Sequence, residues 1–161
     1  MIVSNSSPLI VLGKQGILSL LKRCFGKVLI PKSVYGEVSA KKDSPEAAAL
    51  NKAIMEGWVA VENVVINRML FTEKMGQGEK EAISLAAKHK TVLLIDDDSA
   101  KSYALVLGVE AHGTLYVIFL ACSRKFITKE EATDILDGII ANGFYVSTEL
   151  YSGFAALLKS L

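Results

Sequence analysis

The stretch Val92-Leu93-Leu94-Ile95-Asp96-Asp97-Asp98 decides the fold. Its four apolar residues favour a β-strand and have no polar interruption, which is typical of a parallel strand that is buried on both faces. Three carboxylates follow directly. Adjacent acids repel one another, so acids at the carboxyl end of a central strand either cap the next helix or bind a cation. The stretch therefore predicts a parallel sheet with a polar site at one edge.

Strand and helix patterns alternate on both sides of this stretch. Short apolar runs predict strands at residues 2–4, 28–30, 58–61, 91–95 and 109–111, with a further edge strand at 144–146. The segments between them show helical periodicity, helix-capping residues or both. This alternation predicts a three-layer α/β/α domain with a parallel sheet.

The length of 161 residues suits one well-packed domain and is short for two, so we predict a single domain over residues 1–161. The longest unbroken apolar run, residues 115–122, is far shorter than the roughly 18 residues of a membrane span. The N-terminus has no basic region ahead of its apolar residues and is read as a first strand. We expect a cytoplasmic protein with no membrane partner.

Charge and cysteine usage exclude some classes of function. The formal net charge is +1, so the chain has no bulk electrostatic attraction to nucleic acid, and any binding to a polyanion depends on local clusters or on bound metal. Cys24 and Cys122 lie far apart in hydrophobic segments without a CxxC pattern, which indicates two buried thiols. His89 and His112 are each distant in sequence from the other candidate ligands, so we expect surface or helix-end positions for both.

Three helix starts bear on the site. Ser6-Ser7-Pro8 predicts an N-cap followed by a proline at the first helical position. In the helix predicted from residue 79 to about 89, Glu79 begins the buried stripe and is the inward acid, whereas Glu81 lies on another face. Asp98 is well placed to cap a helix over residues 99–107.

Polar candidates gather where ligand sites of parallel sheets lie, beyond the carboxyl ends of the strands. Asn5 and Ser7 follow the first strand, the three aspartates follow the fourth, and Glu37 and Glu79 come from helices. Hard oxygen ligands without a usable cysteine or histidine set favour Mg²⁺ or Mn²⁺ over zinc.

Most of these acids also have a purely structural interpretation. Asp98 is favoured as an N-cap over a metal ligand, Glu79 stabilises a helix N-terminus, and Glu37 has Lys41 within reach as an ion-pair partner. Asp96 and Asp97 are harder to explain in this way, because a buried strand has no structural need for two further acids. The acids together therefore indicate a site more strongly than any of them alone.

Five segments of the chain, taken together and in this order, resemble the PIN-domain proteins. They are residues 2–10, 30–38, 76–83, 94–97 and 113–115, which include Ser4-Asn5-Ser6-Ser7-Pro8 and Gly76-Gln77-Gly78-Glu79. Within that family the chain is similar to a prokaryotic branch of PIN-like nucleic-acid-binding proteins. The resemblance implies a central parallel five-stranded sheet wrapped by helices, and metal-dependent cleavage of single-stranded RNA by a cluster of acids.

The resemblance also assigns roles to residues. The second, third and fourth acids of the family fall on Glu37, Glu79 and Asp97, which makes these three the expected catalytic residues. Asn5, Asp96 and the same three acids form the expected metal-binding set, with Asn5 standing where most PIN ribonucleases have an aspartate. The residues expected to contact substrate are Ser7, Thr114 and, from its position one turn beyond Asp97, Lys101.

Three hypotheses about function follow. The first is a Mg²⁺- or Mn²⁺-dependent endoribonuclease of PIN type, the toxin of a toxin–antitoxin pair with an antitoxin protein as partner, and a homodimer. The second is a catalytically weak or inactive PIN-like module that binds RNA or a protein, which the neutral Asn5 favours. The third is a receiver-like phosphoacceptor domain. It requires a pair of acids after the first strand, and Asn5-Ser6 does not meet that requirement.

Overall fold

The computed structural model describes all 161 residues. They divide into two compact units, residues 1–114 and residues 115–161, and each is described here by itself. The prediction of a single domain over residues 1–161 stays a prediction. No helix combines the length and the apolar character that a membrane crossing requires.

The first unit contains a five-stranded parallel sheet. Its strands are β1 (Ile2–Ser4), β2 (Val28–Pro31), β3 (Val59–Glu62), β4 (Leu93–Leu94) and β5 (Ala111–His112). Their order across the sheet is β3-β2-β1-β4-β5, and every neighbouring pair is parallel. The predicted fold class, α/β with a central parallel five-stranded sheet between helical layers, is confirmed.

Helices follow the strands in alternation. They are α1 (Ser6–Lys14), α2 (Ser19–Phe25), α3 (Lys32–Val38), α4 (Pro45–Met55), α5 (Gln77–His89) and α6 (Asp98–Val106), with a single 3₁₀ turn at Arg68–Leu70. The break between α1 and α2 falls at Gly16, whose φ of +69° interrupts the helix and suits glycine.

Apolar side chains from the centre of the sheet and from α5 form the core of this unit. Val3 on β1 and Leu93 on β4 are fully buried, and they belong to one cluster with Ala82, Ile83 and Ala86 of α5. The predicted stripe on α5 therefore faces the sheet. Burial of both central strands explains why their sequences are apolar without alternation.

The second unit is helical. Together with α7 (Thr114–Ser123), which starts on the last residue of the first unit, the helices are α8 (Lys129–Ala141) and α9 (Thr148–Ser160). The capping box that Thr128 and Glu131 predict at the start of α8 is confirmed. The edge strand predicted at residues 144–146 is wrong, since this segment connects α8 to α9 and its Tyr145 is 84% exposed. A three-residue apolar run does not form a strand without a neighbouring strand to pair with.

Candidate active site

The candidate site lies beyond the carboxyl ends of β1, β2 and β4. The strand order switches between β1 and β4, and ligands of parallel sheets bind at such a point. The backbone N–H of Asn5 donates to the carbonyl of Leu94 over 2.8 Å, so the pairing of β1 with β4 continues one residue past the strand. Helix α1 then begins at Ser6, which brings its N-terminus to the sheet edge.

Two adjacent serines at the start of α1 each hold one acid. The hydroxyl of Ser6 donates to Oε2 of Glu37, which lies on α3. The hydroxyl of Ser7 donates to Oδ2 of Asp96 over 2.7 Å. The first turn of α1 therefore links two acids that come after β2 and β4, the two strands that flank β1.

Asp96 is the most firmly oriented acid of the site. In addition to the bond from Ser7, its Oδ1 accepts from the backbone N–H of Thr114 over 2.7 Å, and its Oδ2 accepts from the Thr114 hydroxyl over 2.8 Å. A Cβ on Gly113 would lie 2.8 Å from Oδ1 of Asp96 and 3.1 Å from Nζ of Lys101. Because Gly113 has no side chain, the Asp96 carboxylate and the Lys101 ammonium group can both lie close to its Cα.

Asn5 occupies the N-cap of α1, but its side chain makes no capping hydrogen bond. The residue is 8% exposed, and its Oδ1 is buried without a hydrogen-bond partner. A Cβ on Gly78 would lie 3.5 Å from this Oδ1 and 2.5 Å from Oε1 of Glu37. The amide oxygen of Asn5 and the carboxylate of Glu37 therefore border the same space beside Gly78.

The start of α1 differs from the sequence prediction. The first helical residue is Ser6 and the N-cap is Asn5, so Pro8 lies at the third helical position and not at the first. The prediction placed the helix too late because Ser6 and Ser7 are good capping residues themselves. In the folded chain both hydroxyls bond acids from other elements.

The N-cap of α6 also differs from the sequence prediction. Asp98 was expected to cap α6, but the N-cap is Asp97, whose Oδ1 accepts from the backbone N–H of Ala100 over 2.7 Å. Helix α6 begins one residue earlier than predicted, and this moves Asp98 into its first turn. The Asp98 side chain is 99% exposed and lies 3.5 Å from Nζ of Lys101.

Glu79 takes the structural position that the sequence offered for it as an alternative, at the start of its own helix. Oε2 of Glu79 accepts from the backbone N–H of Gly76 over 3.1 Å, which closes the first turn of α5. Glu81 is the acid that reaches another element, because it accepts from the hydroxyl of Ser33 at the start of α3. An unpaired N–H at the helix start attracts Glu79, and the helical periodicity does not reveal this local bond.

The structure thus brings some of the predicted residues together and not others. Asn5 and Glu37 adjoin at Gly78, and Asp96 is held by Ser7 and Thr114, whereas Glu79 and Asp97 bond the starts of their own helices. No three histidine, cysteine, aspartate or glutamate side chains converge in a metal-binding arrangement. The roles of these acids as ligands or catalysts stay predictions.

Thr114 does not fit the predicted contact with substrate. It is fully buried, and both its hydroxyl and its N–H bond Asp96, so it positions this acid instead. Sequence reasoning missed Ser6, Gly78 and Gly113 as members of the site. Serine and glycine carry no charge pattern, and their importance comes from the acids that fold against them.

Comparisons with known proteins agree with this architecture. The family DUF3368, described as a PIN domain, matches residues 1–160. Among solved structures, the chain is similar to a PilT N-terminus domain protein from the hyperthermophilic archaeon Sulfolobus solfataricus P2, with 21% identity and a TM-score of 0.55 over 76% of this chain and 93% of that chain. No curated protein matches. Because the family match extends over nearly the whole sequence, the chain belongs to the PIN-domain family.

Proposed function

We propose that this protein is a divalent-cation-dependent endoribonuclease that cleaves single-stranded RNA. PIN domains are generally nucleases and typically depend on divalent metal ions. The observation that carries the proposal is the arrangement at the start of α1, where Ser6 holds Glu37, Ser7 holds Asp96 and the Asn5 oxygen is buried without a partner. Buried acceptors without a partner are rare in folded proteins and call for an explanation.

The residues present fit a hard divalent cation. Its preferred ligands are carboxylate, amide and water oxygens, which Asn5, Glu37 and Asp96 provide. The buried Oδ1 of Asn5 lacks a donor, and a cation is a suitable partner for such an atom. Asn5 and Glu37 would hold the ion, and we propose Asp96, which Ser7 holds, as a further ligand. A cation bound there supplies Lewis-acid stabilisation of the charge that develops on a phosphodiester during hydrolysis.

The remaining side chains position the acids and receive the substrate. Ser7 and Thr114 fix the orientation of Asp96 through three hydrogen bonds, so that this carboxylate needs little reorganisation when substrate binds. Lys101, whose side chain is 31% exposed, lies beside Asp96 at Gly113 and is available to an RNA phosphate. Single-stranded RNA is the substrate we propose, because a flexible strand can bring one phosphate to a point between the acids.

The proposal is tested with a fluorescently labelled single-stranded RNA, with Mn²⁺ or Mg²⁺ added and with EDTA as a blank. We expect metal-dependent cleavage that Glu37→Gln and Asp96→Asn each lower by about a hundredfold or more, since both lose charge near the phosphate. Glu130→Gln is the matched control, because this exposed glutamate lies on α8 in the other unit. Equal cleavage by wild type and Glu37→Gln, or none with any divalent cation, refutes the proposal.

A second candidate function is an RNA- or protein-binding module with weak or no catalysis. Asn5 favours it, since a neutral amide binds a divalent cation less strongly than the carboxylate that most PIN ribonucleases have at this position. Binding of the labelled RNA without cleavage, together with a gain of cleavage in Asn5→Asp, supports this candidate. Cleavage by the wild-type chain at the rate of Asn5→Asp counts against it.

We also propose that the protein is the toxin of a toxin–antitoxin pair and forms a homodimer. Family membership supports both parts of this proposal. The homodimer is also supported by large apolar side chains left exposed on the first unit, among them Met69, Leu105 and Val106. Expression should then arrest growth in wild type but not in Glu37→Gln, and light scattering should give twice the mass of the chain. Normal growth of cells that express active ribonuclease refutes the toxin role.

A further inference from the structure

Most helices with a polar N-cap use the same capping bond. The N-cap side chain accepts a hydrogen bond from the backbone N–H of the third helical residue, which is the usual geometry. The four donor–acceptor pairs are Ala47 to Ser44 in α4, Ala100 to Asp97 in α6, Glu131 to Thr128 in α8 and Leu150 to Ser147 in α9. Helix α1 also has a capping residue at its N-cap, Asn5, yet makes no such bond.

The exception in α1 follows from the sequence. Counting from Ser6, the third helical residue is Pro8, and proline has no backbone N–H. The backbone of Asn5, with φ −81° and ψ 176°, is close to that of the capped Thr128, with φ −79° and ψ 169°. The backbone of Asn5 is thus suited to capping, and the donor at the third position is what is missing.

The oxygen left over by this arrangement points into the candidate site. Asn5 is more than nine-tenths buried, its Oδ1 has no partner, and this atom and Oε1 of Glu37 border the same space at Gly78. An unsatisfied buried acceptor destabilises the folded protein. An alanine at position 8 would restore the backbone N–H and remove this loss of stability. A function for the Asn5 oxygen explains why the chain has a proline there instead.

We propose that Pro8 is a positioning residue that withholds the capping bond and so keeps the Asn5 amide oxygen free as a preformed ligand for a divalent cation. Glu37, held by Ser6, adjoins that oxygen and supplies the negative charge. The inference rests on the metal requirement in the proposed function and adds the origin of one ligand. In the absence of metal, a donor at position 8 would compete for the oxygen.

The test combines a double-mutant cycle of Pro8→Ala and Asn5→Ala with the control Pro45→Ala, and the readouts are thermal melting without metal and Mn²⁺ binding by calorimetry. Pro45 is the control for Mn²⁺ binding because it lies at the first position of α4, where the Ser44 hydroxyl already accepts from the N–H of Ala47 over 3.2 Å. Pro8 is buried whereas Pro45 is exposed, so the loss of packing at Pro8 is separated from the gain of the cap by making the same change in Asn5→Ala. We expect the change in melting temperature on Pro8→Ala to be about 2–4 °C more favourable in the wild-type background than in Asn5→Ala, since only the former gains a capping bond.

The same bond that stabilises Pro8→Ala should lower its affinity for Mn²⁺. The affinity of Pro8→Ala should fall roughly fivefold, the factor that corresponds to one typical capping bond, and that of Pro45→Ala should match wild type. When Pro8→Ala is made in Asn5→Ala, the capping contribution to the melting temperature should be absent, because no side-chain oxygen is left to cap the helix.

Three results would overturn the inference. They are an equal change in melting temperature on Pro8→Ala in the wild-type and Asn5→Ala backgrounds, unchanged Mn²⁺ affinity in Pro8→Ala, and no Mn²⁺ binding by wild type. Failure of the proposed function has a different signature. A wild-type chain that binds Mn²⁺ but cleaves no RNA refutes the ribonuclease, while the double-mutant cycle and the Mn²⁺ affinities still decide the role of Pro8.

Discussion

Replacing Gly78 by alanine should separate activity from stability. The new Cβ would lie 2.5 Å from Oε1 of Glu37, about 1 Å closer than an ordinary van der Waals contact, so the carboxylate must move by roughly that distance. A 1 Å misplacement of a catalytic group costs about a hundredfold in rate. Because Glu37 is exposed, its side chain can rotate away with little strain, and alanine favours the helix over glycine by up to about 1 kcal/mol. We therefore expect cleavage to fall about a hundredfold, while the free energy of unfolding changes by at most about 1 kcal/mol.

The assay is Mn²⁺-dependent cleavage of labelled single-stranded RNA, with urea unfolding on the same samples. Gly36→Ala is the matched control, since Gly36 precedes Glu37 on α3 and a Cβ there meets nothing within 4 Å. The control should keep wild-type cleavage. If Gly78→Ala cleaves RNA as fast as Gly36→Ala, the space beside Gly78 does not belong to the active site.

Two further predictions concern stability. Asp97→Ala should destabilise the protein by about 1 kcal/mol and lower the melting temperature by about 2–4 °C, because it removes an N-cap, whereas Asp98→Ala should have little effect because its side chain is almost fully exposed. Hydrogen bonds from Lys88, and secondarily from His89, hold the pKa of the Glu62 carboxyl below its usual 4.5, so this group stabilises the fold above that pH and the contribution is lost as the pH falls through the lowered value. The stability difference between wild type and Glu62→Gln, measured by urea unfolding between pH 7 and pH 3, should therefore shrink with acid, and a constant difference would contradict the assignment.

The sequence predicted the scaffold well because the signals are local. Unbroken apolar runs identify strands that are buried on both faces, and the alternation with helices leaves few topologies other than a parallel sheet. Errors occurred where two local choices have similar energies. Asp97 and Asp98 are both good N-cap residues, and the predicted start of α6 was therefore wrong by one residue. The run at residues 144–146 has strand-favouring residues but no neighbouring strand.

The site was predicted in outline only. Polar residues after the strands indicated a candidate site, and in the structure Asn5 and Glu37 adjoin at Gly78 while Ser7 bonds Asp96. Their partners were not predictable, since Ser6 and Glu37 are 31 positions apart and Ser7 and Asp96 are 89 positions apart. Nothing in the local sequence specifies which hydroxyl meets which acid.

The sequence alone determined the strands, most of the helices and the oxygen-rich character of the sheet edge, because hydrophobic periodicity and residue chemistry act over a few neighbouring positions. Only the tertiary structure decided which acids face each other, which ones cap their own helices and which oxygen is left without a partner. Those outcomes depend on hydrogen bonds between segments far apart in the chain, whose geometry exists only once the sheet has brought α1, α3 and the end of β4 together.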